Sequence, residues 1–121
     1  MRVCFTGSRH WSRRFPVQKE LRRLDPQEDV IVHGDAPGLD RMVGMLARKA
    51  GFRVERHPAD WDRLGKAAGV IRNRQMLDSG LDLVLAFPLE DSVGTCDMVN
   101  IAREAGVTVR VHHHREGMIG D

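Results

Sequence analysis

Three times in this chain a short apolar run breaks into a turn of small residues. Val3-Cys4-Phe5 leads into Thr6-Gly7-Ser8-Arg9, Val30-Ile31-Val32-His33 into Gly34-Asp35-Ala36-Pro37-Gly38, and Leu83-Val84-Leu85-Ala86-Phe87 is followed by Ser92-Val93-Gly94-Thr95. Glycine at the end of a strand lets the backbone approach a ligand and leaves N–H groups pointing outward, which is how α/β proteins seat an anion. Any one of Gly7, Gly34, Gly38 and Gly94 alone reads as a tight strand-to-helix turn. Together they favour a site, because Arg9 and Thr95 add phosphate-binding chemistry to two of the turns.

Strand-like and helix-like stretches alternate along the whole chain. Strands are expected at Val3–Thr6, Val30–His33, Phe52–His57, Leu83–Phe87 and Val107–Val111. Helices are expected at Pro16–Leu24, from Leu39 to the stop at Gly51, at Ala67–Ser79 and at Thr95–Ala105, with Pro58–Gly65 as a loop. The second helix has the clearest period, since Leu39, Met42, Val43, Leu46, Ala47 and Ala50 share one face. The continuous apolar run Leu83–Phe87 suits a central parallel strand, and the alternation in Phe52–Glu55 suits a sheet edge. Strands separated by helices predict an α/β, Rossmann-like three-layer domain with a parallel five-stranded sheet in the order 3-2-1-4-5. The switch point then lies between strands one and four, whose loops carry Gly7-Ser8-Arg9 and Gly94-Thr95, and a ligand is expected there.

A chain of 121 residues with 41% hydrophobic and 30% charged residues is about one domain with a real core, which argues against disorder and a membrane span. Residues 1–111 are expected to form that domain and 112–121 a loosely ordered C-terminal tail. The apolar start is interrupted too early for a signal peptide, so the expected location is cytoplasmic. Cys4 and Cys96 have no metal-ligand spacing and read as two reduced thiols. A net charge of +2 argues nothing alone. Gly65-Lys66-Ala67-Ala68 is no P-loop, since Asp60 and Trp61 stand where the earlier glycine is needed and Ala67 replaces the Ser or Thr. A Gly-x-Gly-x-x-Gly fingerprint is missing after strand one, so hydride chemistry is unsupported and no cofactor is expected.

Individual polar residues carry competing readings. Asp40, at the start of the second helix, reads equally as a helix-dipole partner and as a ligand or catalytic residue, and Asp35 also reads as a turn residue. Arg72 and Arg74 on a helix are more often solvated or ion-paired than ligand-binding. His33 and His57 end strands two and three and read as hydrogen-bonded structural histidines, because a zinc site lacks a third ligand. His112-His113-His114 reads as solvated tail. Trp11 and Trp61 read as core or rim residues, and Cys96 has no identifiable His partner to make it a nucleophile.

Thr6-Gly7-Ser8-Arg9, His33-Gly34-Asp35-Ala36-Pro37-Gly38-Leu39-Asp40, His57-Pro58-Ala59-Asp60-Trp61, Gly69-Val70-Ile71-Arg72-Asn73-Arg74-Gln75-Met76 and Gly94-Thr95-Cys96-Asp97-Met98, in this order, resemble the SLOG superfamily. The best match is its short YspA-like, YpsA-related group, small proteins of actinobacteria and their phages among others. The likeness runs from Met1 to about Val111. It implies a Rossmann-like domain that binds nucleotides or nucleotide-derived ligands, and it raises Arg72 and Asn73 to expected ligand residues. Relatives in the superfamily include the Lonely guy phosphoribohydrolases, which cut the N-glycosidic bond of a nucleoside monophosphate, and the DNA-processing A proteins, which bind single-stranded DNA. Where the phosphoribohydrolase pattern has its catalytic Glu, this chain has Met98. Asp97, one position earlier on a helix, points about 100° away.

The expected function is therefore binding of a nucleotide or nucleotide-derived small molecule at the C-terminal edge of the sheet. Gly7, Ser8, Arg9, Gly94 and Thr95 are expected to hold phosphate, Gly34, Asp35, Gly38 and Asp40 to face the sugar, and Arg72 and Asn73 to close the pocket. The first alternative is an N-glycosidic-bond hydrolase with Asp40 or Asp97 as base or nucleophile. A second is a single-stranded DNA-binding module, which the lack of interleaved aromatics disfavours. No metal, membrane or nucleic-acid partner is expected, and a homo-oligomer stays open.

Overall fold

Each apolar run becomes a parallel strand. The computed structural model describes residues 1–90 and 92–113. In it β1 (Arg2–Gly7), β2 (Val30–His33), β3 (Arg53–Arg56), β4 (Leu83–Phe87) and β5 (Thr108–Val111) form one sheet in the order β3-β2-β1-β4-β5, the order read from the sequence. All pairings are parallel, with Val3 beside both Ile31 and Leu83 at the centre. Between the strands run α1 (Arg14–Leu21), α2 (Leu39–Lys49), α3 (Trp61–Leu64), α4 (Ala68–Asp78) and α5 (Val93–Glu104).

Strand alternation sorts the core into two halves. Val3, Phe5, Ile31, Leu85 and Phe87 meet Val17 and Leu21 of α1 and Leu39, Val43 and Ala47 of α2. Cys4, Val32 and Val84 point the other way, onto Met76 of α4 and Met98 and Ala102 of α5. The result is three layers, helices on both faces of the sheet. Every residue of β4 is buried, which is why that strand is apolar without alternation. Each such fully buried aliphatic or aromatic side chain stabilises the fold by about 1.5–3 kcal/mol. At the β3 edge only Val54 packs on the core, while Arg53 and Arg56 stay exposed.

The structure differs from the sequence reading in four local places. The expected loop Pro58–Gly65 contains α3, whose first turn is capped by the Asp60 side chain accepting from the Arg63 N–H at 3.2 Å. A single four-residue turn shows no helical period to read. Gly65–Ala67 forms a 3-10 turn into α4. α1 starts at Arg14 and ends at Leu21, because Arg23 and Leu24 donate to Glu20 and Leu21, three residues back. α5 starts at Val93, which brings Gly94 and Thr95 inside its first turn. Residues 114–121 of the expected tail lie outside the described residues. His112 follows β5 with its N–H on the Ala86 carbonyl at 2.8 Å. Among the described residues no helix is long and apolar enough to cross a membrane.

Candidate functional site

The switch point between β1 and β4 brings three glycine turns together at the carboxyl ends of the strands. Gly7 closes β1, and a Cβ there would lie 2.5 Å from Leu39 Cγ and 2.8 Å from the Phe87 carbonyl oxygen. The next turn begins with Ser8, whose N–H donates to Phe87 at 3.0 Å and whose carbonyl accepts from Leu39 N at 3.1 Å. Gly38, at φ 79°, lies against the carbonyl groups of Ser8 and Arg9, so only a residue without a Cβ lets α2 start there. The β1 and β2 turns are thus stitched to each other through backbone.

α4 ties in the third turn. Arg72 Nη1 donates to the Gly34 carbonyl, and Arg72 Nε donates to Asn73 Oδ1 at 3.0 Å. Asn73, 2% exposed, donates from Nδ2 to the Gly94 carbonyl at 3.0 Å and to Asp97 Oδ2 at 2.9 Å. The Arg72 guanidinium fills the space a Gly34 side chain would need. Gly34, Arg72, Asn73, Gly94 and Asp97 therefore form one connected polar chain. Ser92 caps the Leu89 N–H with its hydroxyl at 2.8 Å instead of capping α5. The first N–H groups of α5 have no intrahelical acceptor, no acid stands in its first turn, and the space beside Gly94 is open.

Asp40 is buried beside this chain. Its Oδ2 accepts the Ala36 N–H at 3.3 Å, and its Oδ1 has no partner among the described residues. Burial pushes its carboxyl up from 3.8 to about 6, a rise that the Ala36 and Gly34 N–H groups and the Arg72 charge only partly oppose. The Cys4 thiol is pushed up, first by burial and then by the Asp40 charge. His33 Nδ1 accepts the Asp35 N–H at 2.9 Å, which leaves the ring proton on Nε2. Burial lowers its pKa to about 4, and Gly44 gives the ring room, since a Cβ there would lie 2.7 Å from Nε2.

Asp35, Ser8, Arg9 and Thr95 lie outside this hydrogen-bonded polar chain. Asp35, the one non-glycine residue at positive φ among those described, turns its carboxylate toward Arg56 at 3.8 Å and Arg41 at 4.0 Å. Ser8 Oγ accepts the His10 N–H at 3.0 Å. Arg9 is exposed, and Thr95 is buried in the first turn of α5. Met98 is fully buried against Cys4, Val84 and Met76, so the position of the phosphoribohydrolase Glu faces the core. Among the described residues no group of three His, Cys, Asp or Glu side chains could hold a metal ion.

A second polar centre was not read from the sequence. Glu20 of α1 is 2% exposed, and it accepts from Arg110 Nη2 at 3.1 Å, Arg110 Nε at 3.3 Å and Arg23 Nη1 at 3.3 Å. His112 Nε2 lies 2.7 Å from its Oε2, and the His112 ring stacks on Phe87 at 4.7 Å. Burial alone would raise the Glu20 pKa, but His112 and Arg110 outweigh it and hold the carboxyl below its usual range. The signal was present in the sequence. Glu20 falls in phase with Val17, Leu21 and Leu24, on the buried stripe of its helix.

This chain belongs to the YspA, cpYpsA-related SLOG family, whose model matches residues 1–64. It is 45% identical over 117 residues to the Gene 61 protein of Mycobacterium phage D29, an alignment covering 89% of this chain and 93% of that protein. Membership associates the fold with nucleotide-related ligands.

Proposed function

We propose that this protein binds a nucleotide or nucleotide-derived small molecule in the crevice above β1, β2 and β4, and does so in the cytoplasm. The observation that carries this is Asp40: a buried carboxylate oxygen without a partner is costly, and a ligand hydroxyl would satisfy it. The open N-terminus of α5 at Gly94-Thr95, with the Ser8 hydroxyl and the Arg9 side chain of the Gly7-Ser8-Arg9 turn, supplies donors for phosphate. Gly34 and Gly38 bring backbone close to the sugar. Asp35 contributes the turn rather than its carboxylate, which Arg41 and Arg56 engage. Arg72 and Asn73 hold the glycine turns in register.

Calorimetry with a panel of nucleoside monophosphates tests this. The parent protein is expected to bind at least one of them, and Asp40→Asn and Arg72→Ala each to bind it about tenfold more weakly or worse. Unchanged affinity in both variants would overturn the assignment of the site.

A second reading, cleavage of the N-glycosidic bond, draws support from the same residue, because a carboxyl with a pKa near 6 is suited to general-base work close to neutral pH. Asp97 is the weaker candidate for that role, since Asn73 already engages its Oδ2. Met98 stands where the phosphoribohydrolases carry their catalytic Glu and supplies no carboxylate, which favours binding without efficient turnover.

A further inference from the structure

The sheet carries a second opening at its carboxyl edge, away from the crevice. Among the described residues the core packed by α1 and α2 includes no β5 side chain, and at the end of β5 Arg110 and His112 reach across to Glu20. Between α1 and this strand end lies a cavity of about 540 Å³, within the ordinary range for small-ligand pockets. Neither Arg9, Gly34, Arg72 nor Thr95 lines it.

Among the described lining residues cationic side chains outnumber acids. Lys19 lies near the end of α1 and Arg23 in the turn just after it, Arg13 lies at the helix start, and His112 and His113 line the cavity from the end of β5. Glu20 is the one acid among the described lining residues, and Arg110, Arg23 and His112 already use both its oxygens. α1 begins with no side-chain cap and no acid in its first turn, so its dipole adds positive potential at the end where Arg13, Phe15 and Pro16 line the cavity. Phe15, 43% exposed, lines the cavity together with Trp11. A cavity lined by an aromatic ring and by cationic side chains favours a ligand that is both planar and negatively charged.

We propose that the α1–β5 cavity is a second binding site, for a small aromatic anion whose charged group sits between Lys19 and Arg23 and whose ring lies on Phe15. The site is independent of the nucleotide crevice. Glu20 acts as a positioning residue, holding Arg23 and His112 at the cavity rather than touching the ligand.

Trp11 reports on the cavity. In Trp61→Phe, where Trp11 is the remaining tryptophan, its emission is followed during titration with two probes. AMP carries ring and anion as a nucleotide, and phenyl phosphate carries them without a sugar. Saturable change with either supports the site, and the tighter probe identifies the source. Inorganic phosphate and adenosine are each expected to bind about tenfold more weakly than the better probe. Adding Lys19→Ala with Arg23→Ala, both exposed positions, should weaken that probe about tenfold or more, whereas adding Arg9→Ala should not change it. The proposal fails if millimolar AMP and phenyl phosphate leave Trp11 emission unchanged. It fails equally if the double substitution has no effect, or if Arg9→Ala alone abolishes the signal, which would place the ligand in the crevice.

Discussion

Asp40→Asn should make the protein more stable at neutral pH while weakening its ligand binding. The carboxyl titrates at 3.8 in the unfolded chain and at about 6 in the fold, because burial disfavours its charged form. Between those values the native state holds a proton that the unfolded state has released. Stability therefore falls as pH rises through this window, and above about pH 6 the whole penalty is present. At 1.36 kcal/mol per pH unit the interval corresponds to about 3 kcal/mol. Asparagine keeps an oxygen for the Ala36 N–H but cannot ionise. Urea unfolding of both proteins from pH 4 to 7.5 should show the variant more stable by about 2–3 kcal/mol at pH 7.5, a shift of the urea midpoint of about 1 M or more. The gap should close toward pH 4. Parallel pH profiles, or a variant less stable at every pH, would refute the claim that a buried charge is retained there at the expense of stability.

Three further outcomes follow from the same geometry. Gly38→Ala should lose at least about 2 kcal/mol in thermal unfolding, because φ is 79° and the new Cβ meets the Ser8 carbonyl oxygen at 2.5 Å; a melting temperature within experimental error of the parent would contradict the described turn. Mononucleotide affinity should fall only gently with salt, whereas tight single-stranded DNA binding with a log–log slope near −4, or roughly six contacts at about −0.7 each, would favour a DNA-binding module. Incubation with nucleoside monophosphates should release no free base at an enzymatic rate; release at about 1 s⁻¹ that disappears in Asp40→Asn or Asp97→Asn would make the hydrolase reading correct.

The sheet was legible because its information is local. Val3-Cys4-Phe5 and Leu83–Phe87 are apolar runs bounded by breakers, and helices between them force parallel crossovers. α3 was not legible, since one turn held by an Asp60 cap has no period. At the crevice the glycines marked the turns, but the joints between them are long-range. Arg72 reaches Gly34 across 38 positions and Asn73 reaches Gly94 across 21, separations that periodicity does not encode. Asp35 shows the converse. Its place in a glycine turn suggested a ligand contact, while the neighbouring strand and helix supply Arg56 and Arg41 to its carboxylate. The Glu20 centre was half legible: a glutamate in core phase on α1 signals a buried partner, but Arg110 and His112 arrive from 90 and 92 residues away.

Backbone amide NMR during titration with a nucleoside monophosphate tests the proposed crevice most directly, since it locates the ligand as well as detecting it. Saturable shifts at Gly7, Ser8, Arg9, Gly34, Gly94 and Thr95, moving together with one dissociation constant, are the expected result. Saturable shifts confined to α1 and the end of β5, or no saturable shift with any nucleoside monophosphate, would contradict nucleotide binding at the glycine turns.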